Sequence, residues 1–269
     1  MRTRFAPTPS GYLHLGNAVH MVVIRRLAEL WSSQIALRID DFDAQRARRE
    51  YVQDIFDACA WLDLSWQLGP RSRDEYELID REARNTSMKA SLVAAIGNGM
   101  PVYACACSRQ SRSGGHTCTC TERDVPWAPG SNALRVRVPD TTVIQVGTRT
   151  VDLASHMGDF VIWRKDDVPA YQLASVLSDR ALDVDLLIRG DDLLESSAAQ
   201  LYLCEWLGYP QLRAARMVHH RLTFDVEGRK LSKSAGAQSA PLERSTALRD
   251  HIEWLADEEL LHILDSATW

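Results

Sequence analysis

Apolar and polar positions divide this chain into strand-length and helix-length pieces from its first residues. Thr3 to Ala6 reads as a strand, broken by Pro7-Thr8-Pro9-Ser10-Gly11, and Val19, Val23, Leu27, Leu30 and Trp31 then recur at helical spacing. Ile35 to Ile39 predicts a second strand that runs into the acidic cluster Asp40, Asp41 and Asp43, and Val52, Ile55, Phe56, Cys59 and Leu62 mark one face of the next helix. Strand, helix, strand, helix in this order predicts an α/β fold, a Rossmann-like doubly wound parallel sheet with helices on both faces.

The pattern then changes. A helix carrying Met88, Leu92, Val93 and Ile96 stops at Gly97 and Gly99, where glycine takes the left-handed conformation that ends helices. Between Ala133 and Val146, Leu134, Val136 and Val138 alternate with arginines, which predicts a small antiparallel β insertion that Val161 and Trp163 continue. Val184-Asp185-Leu186-Leu187-Ile188 has the near-continuous aliphatic run of a buried parallel strand, and a helix from Leu193 to Leu207 follows with Gly208 as its stop. Leu248, Ile252, Leu255, Leu260, Leu261 and Leu264 supply the apolar positions of one last long helix. The expected organisation is 1–98 for the first half of the Rossmann domain and 99–180 for a zinc-bearing and connecting insertion. Residues 181–235 form the second half with a lysine-rich loop, and 236–269 a helical tail.

Composition narrows the picture. At 269 residues and 45% apolar content the chain can bury a sizeable core. Its longest aliphatic run near the start, Met21-Val22-Val23-Ile24, is too short to cross a bilayer, so neither export nor membrane insertion is expected, and the cytoplasm is the expected location. A formal charge of -5 excludes a broad basic surface as the source of nucleic-acid affinity, so any RNA contact is expected to be local. Of the six cysteines, Cys59 and Cys204 fall on apolar helical faces, while Cys105, Cys107, Cys118 and Cys120 form two close pairs. Close thiol pairs in a reducing compartment read as a metal site, and four cysteines, or three and a histidine, close a structural zinc site. With Cys105 and Cys107 as the firm ligands, His116, Cys118 and Cys120 are the candidates for the rest.

Two short stretches carry candidate chemistry. In an open parallel sheet, ligands sit beyond the carboxyl ends of the strands, and the first loop-to-helix junction offers backbone N–H groups to phosphate. His14, Gly16 and Asn17 lie at that junction, where His14 can donate to phosphate oxygens as charge develops. Far along the chain, Lys230 and Lys233 of Lys-Leu-Ser-Lys-Ser can bring mobile positive charge to the β- and γ-phosphates of a nucleotide.

These stretches, with Arg38-Ile39-Asp40-Asp41-Phe42-Asp43, Ala170-Tyr171-Gln172-Leu173-Ala174 and Arg189-Gly190-Asp191-Asp192-Leu193-Leu194, resemble the glutamyl branch of class I aminoacyl-tRNA synthetases. The resemblance runs over nearly the whole chain and is nearest to the short members that lack a C-terminal anticodon-binding domain. It implies a ligase that activates glutamate with ATP and Mg²⁺ as an aminoacyl-adenylate, then transfers it to the queuosine base of tRNA(Asp). By the same resemblance Arg4, Ala6, Thr8, Asp40, Tyr171 and Arg189 line the amino-acid pocket, and one structural zinc is held per chain. The family pattern points to His116 and Cys120 for the last two ligands, whereas simple thiol pairing points to Cys118 and Cys120. Asp40 stands where the family has glutamate, and Ser175 where it has the first of two aspartates. The alternative function is a tRNA-independent adenylating enzyme that passes a different amino acid to a small molecule or carrier protein. A monomer is expected.

Overall fold

The structure, a computed structural model, describes residues 1–42, 47–107, 118–123, 125–221 and 240–265. The chain divides into two compact units, the first made of 1–79, 182–194 and 214–269 and the second of 80–181 and 195–213.

In the first unit, β1 (Arg2–Phe5) and β2 (Gln34–Leu37) pair in parallel, and so do β8 (Leu186–Gly190) and β9 (Arg216–His220). β8 lies beside β1, for the Asp185 N–H donates to the Arg2 carbonyl at 3.1 Å and the Arg2 N–H to the Asp185 carboxylate at 2.6 Å. A parallel pair needs a crossover, and between β1 and β2 this is α1 (Leu15–Leu30). Eight of its positions are buried, among them Met21, Val22, Val23 and Ile24, so this helix is apolar on most of its circumference. Each such aliphatic side chain contributes roughly 1.5–3 kcal/mol on burial. The polar remainder faces α9 (Thr246–Asp265), where Glu253 accepts from Arg25 at 2.5 Å and from Arg26 at 2.9 Å. The apolar centre of the unit joins α1, the strands, α2 (Arg49–Trp61) and the buried positions Ile252, Ala256 and Ile263 of α9.

A glycine shapes the far side of β2. Leu68 accepts from the Leu37 N–H at 2.9 Å, and Gly69 follows at φ +102, so close that a Cβ there would stand 2.0 Å from the Leu37 carbonyl oxygen. A short helix, α3 (Arg73–Glu77), then brings Tyr76 down to donate to Asp41 at 2.8 Å.

The second unit opens with α4 (Arg81–Gly97), stopped by Asn98 and by Gly99 at φ +95. Its sheet has the order β3 (Val102–Cys105), β4 (Ala133–Val136), β7 (Phe160–Trp163), all antiparallel, and a separate hairpin pairs β5 (Val143–Val146) with β6 (Arg149–Asp152). The antiparallel insertion expected from alternation is therefore present, as a three-stranded sheet and a separate hairpin. The helices α5 (Leu153–His156), α6 (Tyr171–Ala181), α7 (Leu194–Leu207) and α8 (Pro210–Arg213) complete the described elements. Gly208, at φ +72, ends α7 as its position suggests. Lys89 donates to both oxygens of Asp167 at 2.9 and 3.0 Å, and the Trp163 indole N–H donates to the same carboxylate at 2.8 Å. Against a burial penalty that raises it, these donors hold the Asp167 carboxyl below its ordinary range. Among the described residues no helix is long and apolar enough to cross a membrane.

Candidate functional site

The turn that carries His14 is built by its own side chains. His14 is the N-cap of α1: its Nδ1 accepts from the Asn17 N–H at 3.3 Å, while Asn17 Oδ1 accepts from the His14 N–H at 3.2 Å. With Nδ1 accepting, the proton of the neutral ring sits on Nε2, which makes Nε2 the donor. The sequence expectation of open N–H groups at this junction needs one correction, since the Asn17 N–H is taken by His14. The Leu15 and Gly16 N–H groups have no hydrogen-bond partner among the described residues. Two neutral donors and a helix dipole therefore meet in the first turn, an arrangement suited to an anion.

The turn is fixed from behind. Asp54 on α2 accepts the Leu13 N–H at 2.8 Å through one oxygen and Arg244 at 2.5 Å through the other. Burial raises the Asp54 carboxyl, opposed by the Leu13 N–H and by Arg244. Tyr12 packs edge-on against Tyr51 with ring centroids 5.0 Å apart.

At the carboxyl ends of the parallel strands, Arg4 is 4% exposed and Arg189 2%. Arg4 donates to the Ile188 carbonyl at 3.3 Å, and both guanidiniums act on His20 of α1, so the two cations share one neighbourhood. Ala6 and Thr8 follow β1 on the loop toward His14 and are both half-buried. Asp40 continues β2, its N–H donating to the Pro7 carbonyl at 2.9 Å. Both of its carboxylate oxygens are held by Arg38, at 2.6 and 2.9 Å, a bidentate pair two residues apart just past the end of β2. Tyr171, 42% exposed, opens α6 in the second unit. Lys230 and Lys233 lie outside the described residues, as does Asp43.

Within the second unit the sulfurs of Cys105, Cys107, Cys118 and Cys120 all lie within 4.8 Å of one another. Cys118 stands 3.7 Å from both Cys105 and Cys107, and Cys107 stands 3.6 Å from Cys120. A tetrahedron of thiolates with metal–sulfur bonds of about 2.3 Å has sulfur–sulfur edges of about 3.8 Å, so the cluster is compatible with a zinc ion. A backbone donor at Ala106 lowers the Cys120 thiol to about 7, while the hydrogen bond to Cys120 and then burial push Cys107 up. His116 lies outside the described residues, and Cys118 completes the cluster of four.

Sequence reasoning missed Arg38, Asp54, Arg244 and a hydrogen-bonded pair of histidines, His20 and His220. Arg38 was visible in principle, because it lies two residues from Asp40 in the segment that continues β2. The others meet across the fold, and no local signal marks them.

Comparison with known proteins fits this geometry. Residues 1–112 and 104–251 match the family described as tRNA synthetases class I (E and Q), catalytic domain. A glutamyl-Q tRNA(Asp) synthetase of Pseudomonas syringae pv. syringae is 34% identical over 253 residues, covering 91% of this chain and 81% of that protein. A glutamate–tRNA ligase of Anaeromyxobacter sp. is 32% identical over 93% of this chain, which spans only 54% of the ligase. The crystal structure of a glutamate–tRNA synthetase from Elizabethkingia anophelis shares the fold, with a TM-score of 0.69 at 22% identity over 89% of this chain and 54% of that one. The parallel strand pairs, the capped turn and the family match converge on one assignment: the chain belongs to the class I tRNA synthetase family of the glutamyl and glutaminyl type, in its catalytic domain.

Proposed function

We propose that this protein is a ligase that activates glutamate with ATP and transfers the glutamyl group to the queuosine base of tRNA(Asp). The observation that carries this reading is the pair of buried guanidiniums, Arg4 and Arg189, at the ends of β1 and β8. A dicarboxylic amino acid needs fixed cations, and the planar fork of arginine suits a carboxylate. The likeness to a protein named for glutamyl-Q tRNA(Asp) supports the same substrates.

In this reading ATP enters as its Mg²⁺ complex, with phosphates against His14, Gly16 and the first turn of α1. One carboxylate oxygen of the amino acid attacks the α-phosphorus, the mixed anhydride forms and pyrophosphate leaves. The His14 Nε2–H and the Leu15 and Gly16 N–H groups meet the charge that develops on the phosphate oxygens, and Lys230 and Lys233 meet it on the leaving pyrophosphate. A nucleophile on the queuosine base then attacks the acyl carbon and AMP departs. Ala6 and Thr8 line the pocket beside Arg4. The four-cysteine cluster would hold a structural zinc that ties the segments on either side of residues 108–117 together, within a doubly wound domain that works in the cytoplasm.

One observation favours a second reading. Asp40, the expected partner of the substrate ammonium, has both oxygens engaged by Arg38, so the pocket could serve another amino acid that is passed to a small molecule or carrier protein. ATP–pyrophosphate exchange over a panel of amino acids, followed by transfer to queuosine-containing tRNA(Asp), separates the two. Exchange with glutamate and alkali-labile label on that tRNA supports the first. Exchange with another amino acid and an unlabelled tRNA overturns it.

A further inference from the structure

Beside the two buried arginines lie two rings that the activation chemistry does not use. His20, in the second turn of α1, and His220, the last residue of β9, bring Nδ1 and Nε2 to 2.8 Å, with ring centroids 5.0 Å apart at 31°. The other nitrogen of His220, Nδ1, is 2.8 Å from the Arg221 carbonyl oxygen. A carbonyl can only accept, so His220 Nδ1 carries a proton, and in a neutral ring its Nε2 is then an acceptor. The proton of the short contact sits on His20 Nδ1; both Nε2 atoms then lack a proton, that of His220 accepting within the contact and that of His20 lying outside it.

The charges around the pair are divided by side. Burial first, then His220, Arg4 and Arg189 all hold His20 well below the ordinary histidine value. Burial also lowers His220, but the Arg221 carbonyl, Glu259 of α9 and Asp191 and Asp192 after β8 work the other way. Of the other charged groups on α1, α9 and the segment after β2, Glu253 pairs with Arg25 and Arg26, Asp257 with Arg26 and Asp40 with Arg38, while Arg221, next to His220, pairs with Glu259. Arg4 and Arg189 thus oppose a proton on His20, while Glu259, Asp191 and Asp192 favour one on His220.

We propose that the His20–His220 pair is the proton-accepting part of the amino-acid pocket: when a substrate carboxylate docks on Arg4 and Arg189, one proton from solvent adds to His20 Nε2, and the acidic amino acid and the proton bind together. This rests on the reading that the two arginines hold substrate carboxylates. A carboxylate against them opposes the field of the two guanidiniums, and a nearby negative charge favours the protonated form of a histidine. Because proton and ligand then favour each other, the ligand binds more tightly at lower pH.

The test is calorimetric titration of L-glutamate into the full chain, in two buffers of different ionisation enthalpy. The expected result is a buffer-dependent heat that reports proton uptake. Affinity should also fall by up to about tenfold per pH unit across the histidine range. His20→Gln and His20→Leu are each expected to abolish the buffer dependence while glutamate still binds, and two variants cover the case in which one fails to fold. Equal heats in both buffers for the unmodified protein, with glutamate bound, overturn the proposal. If neither glutamate nor any other acidic amino acid binds, the functional reading fails instead. The pair is then judged by NMR titration of its imidazoles in Arg4→Gln and Arg189→Gln. A raised midpoint supports the proposal, and an unmoved one ends it.

Discussion

Arg244 donates to Asp54 at 2.5 Å across 190 positions of sequence. The other oxygen of that carboxylate holds the Leu13 N–H, so one buried side chain ties the turn before His14 both to α2 and to the segment leading into α9. Removing it by Asp54→Ala leaves a backbone donor unsatisfied, at about 1–3 kcal/mol, and breaks the ion pair. Arg244 is 27% exposed, which discounts the pair, and a total loss of about 3 kcal/mol is expected from urea unfolding. ATP–pyrophosphate exchange should drop in the same variant, and unchanged stability would remove the anchoring role.

The same carboxylate gives a pH signature. Its midpoint in the folded protein is raised above the ordinary 3.8, chiefly by burial, so the fold favours its protonated form. The stability it contributes is therefore fully present below the ordinary value and is lost as pH rises through the raised one. Asp54→Asn cannot ionise. Unfolding midpoints compared from about pH 4 upward should show the unmodified protein losing ground to the Asn variant, and parallel curves would contradict this.

His14→Ala removes the cap and the Nε2 donor together. Activation measured by pyrophosphate exchange should fall about 10²–10³-fold, with a far smaller change in the half-saturating amino-acid concentration. Lys233→Ala is expected to show the same split. A variant that retains full rate takes its residue out of the phosphate site.

Elemental analysis should find about one zinc per chain, lost in the Cys105→Ser, Cys107→Ser double variant. Hydrogen exchange would then rise in β3 and around residues 118–123, while α1 keeps its protection. Metal content that survives the double replacement rules out the thiol site.

Gly69→Ala forces a Cβ to 2.0 Å from the Leu37 carbonyl oxygen at φ +102. Neither clash can relax without moving β2, so a loss of about 3 kcal/mol or more is expected. A variant melting with the unmodified protein would mean that this backbone contact is not maintained in solution.

Much of the fold was legible because burial follows short-range pattern. The aliphatic spacing of Val19, Val23 and Leu27 announced α1, and the alternation of Leu134 and Val136 announced β4, although Arg135 between them, expected on an exposed face, is buried as well. The reading failed where an element was rich in apolar residues on several sides. In α9 the leucines suggested the packed face, yet Leu261 and Leu264 are exposed while Ala256 and the charged Glu259 are buried. Leu30 was placed on the inner face of α1 but is 54% exposed, because the helix ends there. In the site, the capped turn and the cysteine cluster were readable from local spacing. Asp54 with Arg244, and His20 with His220, were not, since each pair forms only when distant strands and helices come together.

The hydrogen bonds between Arg2 and Asp185 have a consequence for synthesis. The opening strand finds β2 within about thirty residues, but its other neighbour is translated only after residues 80–181 of the second unit have been made, a delay of seconds at roughly 5–20 residues per second. Until then one edge of β1 stays open, a template for pairing with another nascent chain. Ribosome-bound intermediates of this protein should therefore be the species most in need of a chaperone.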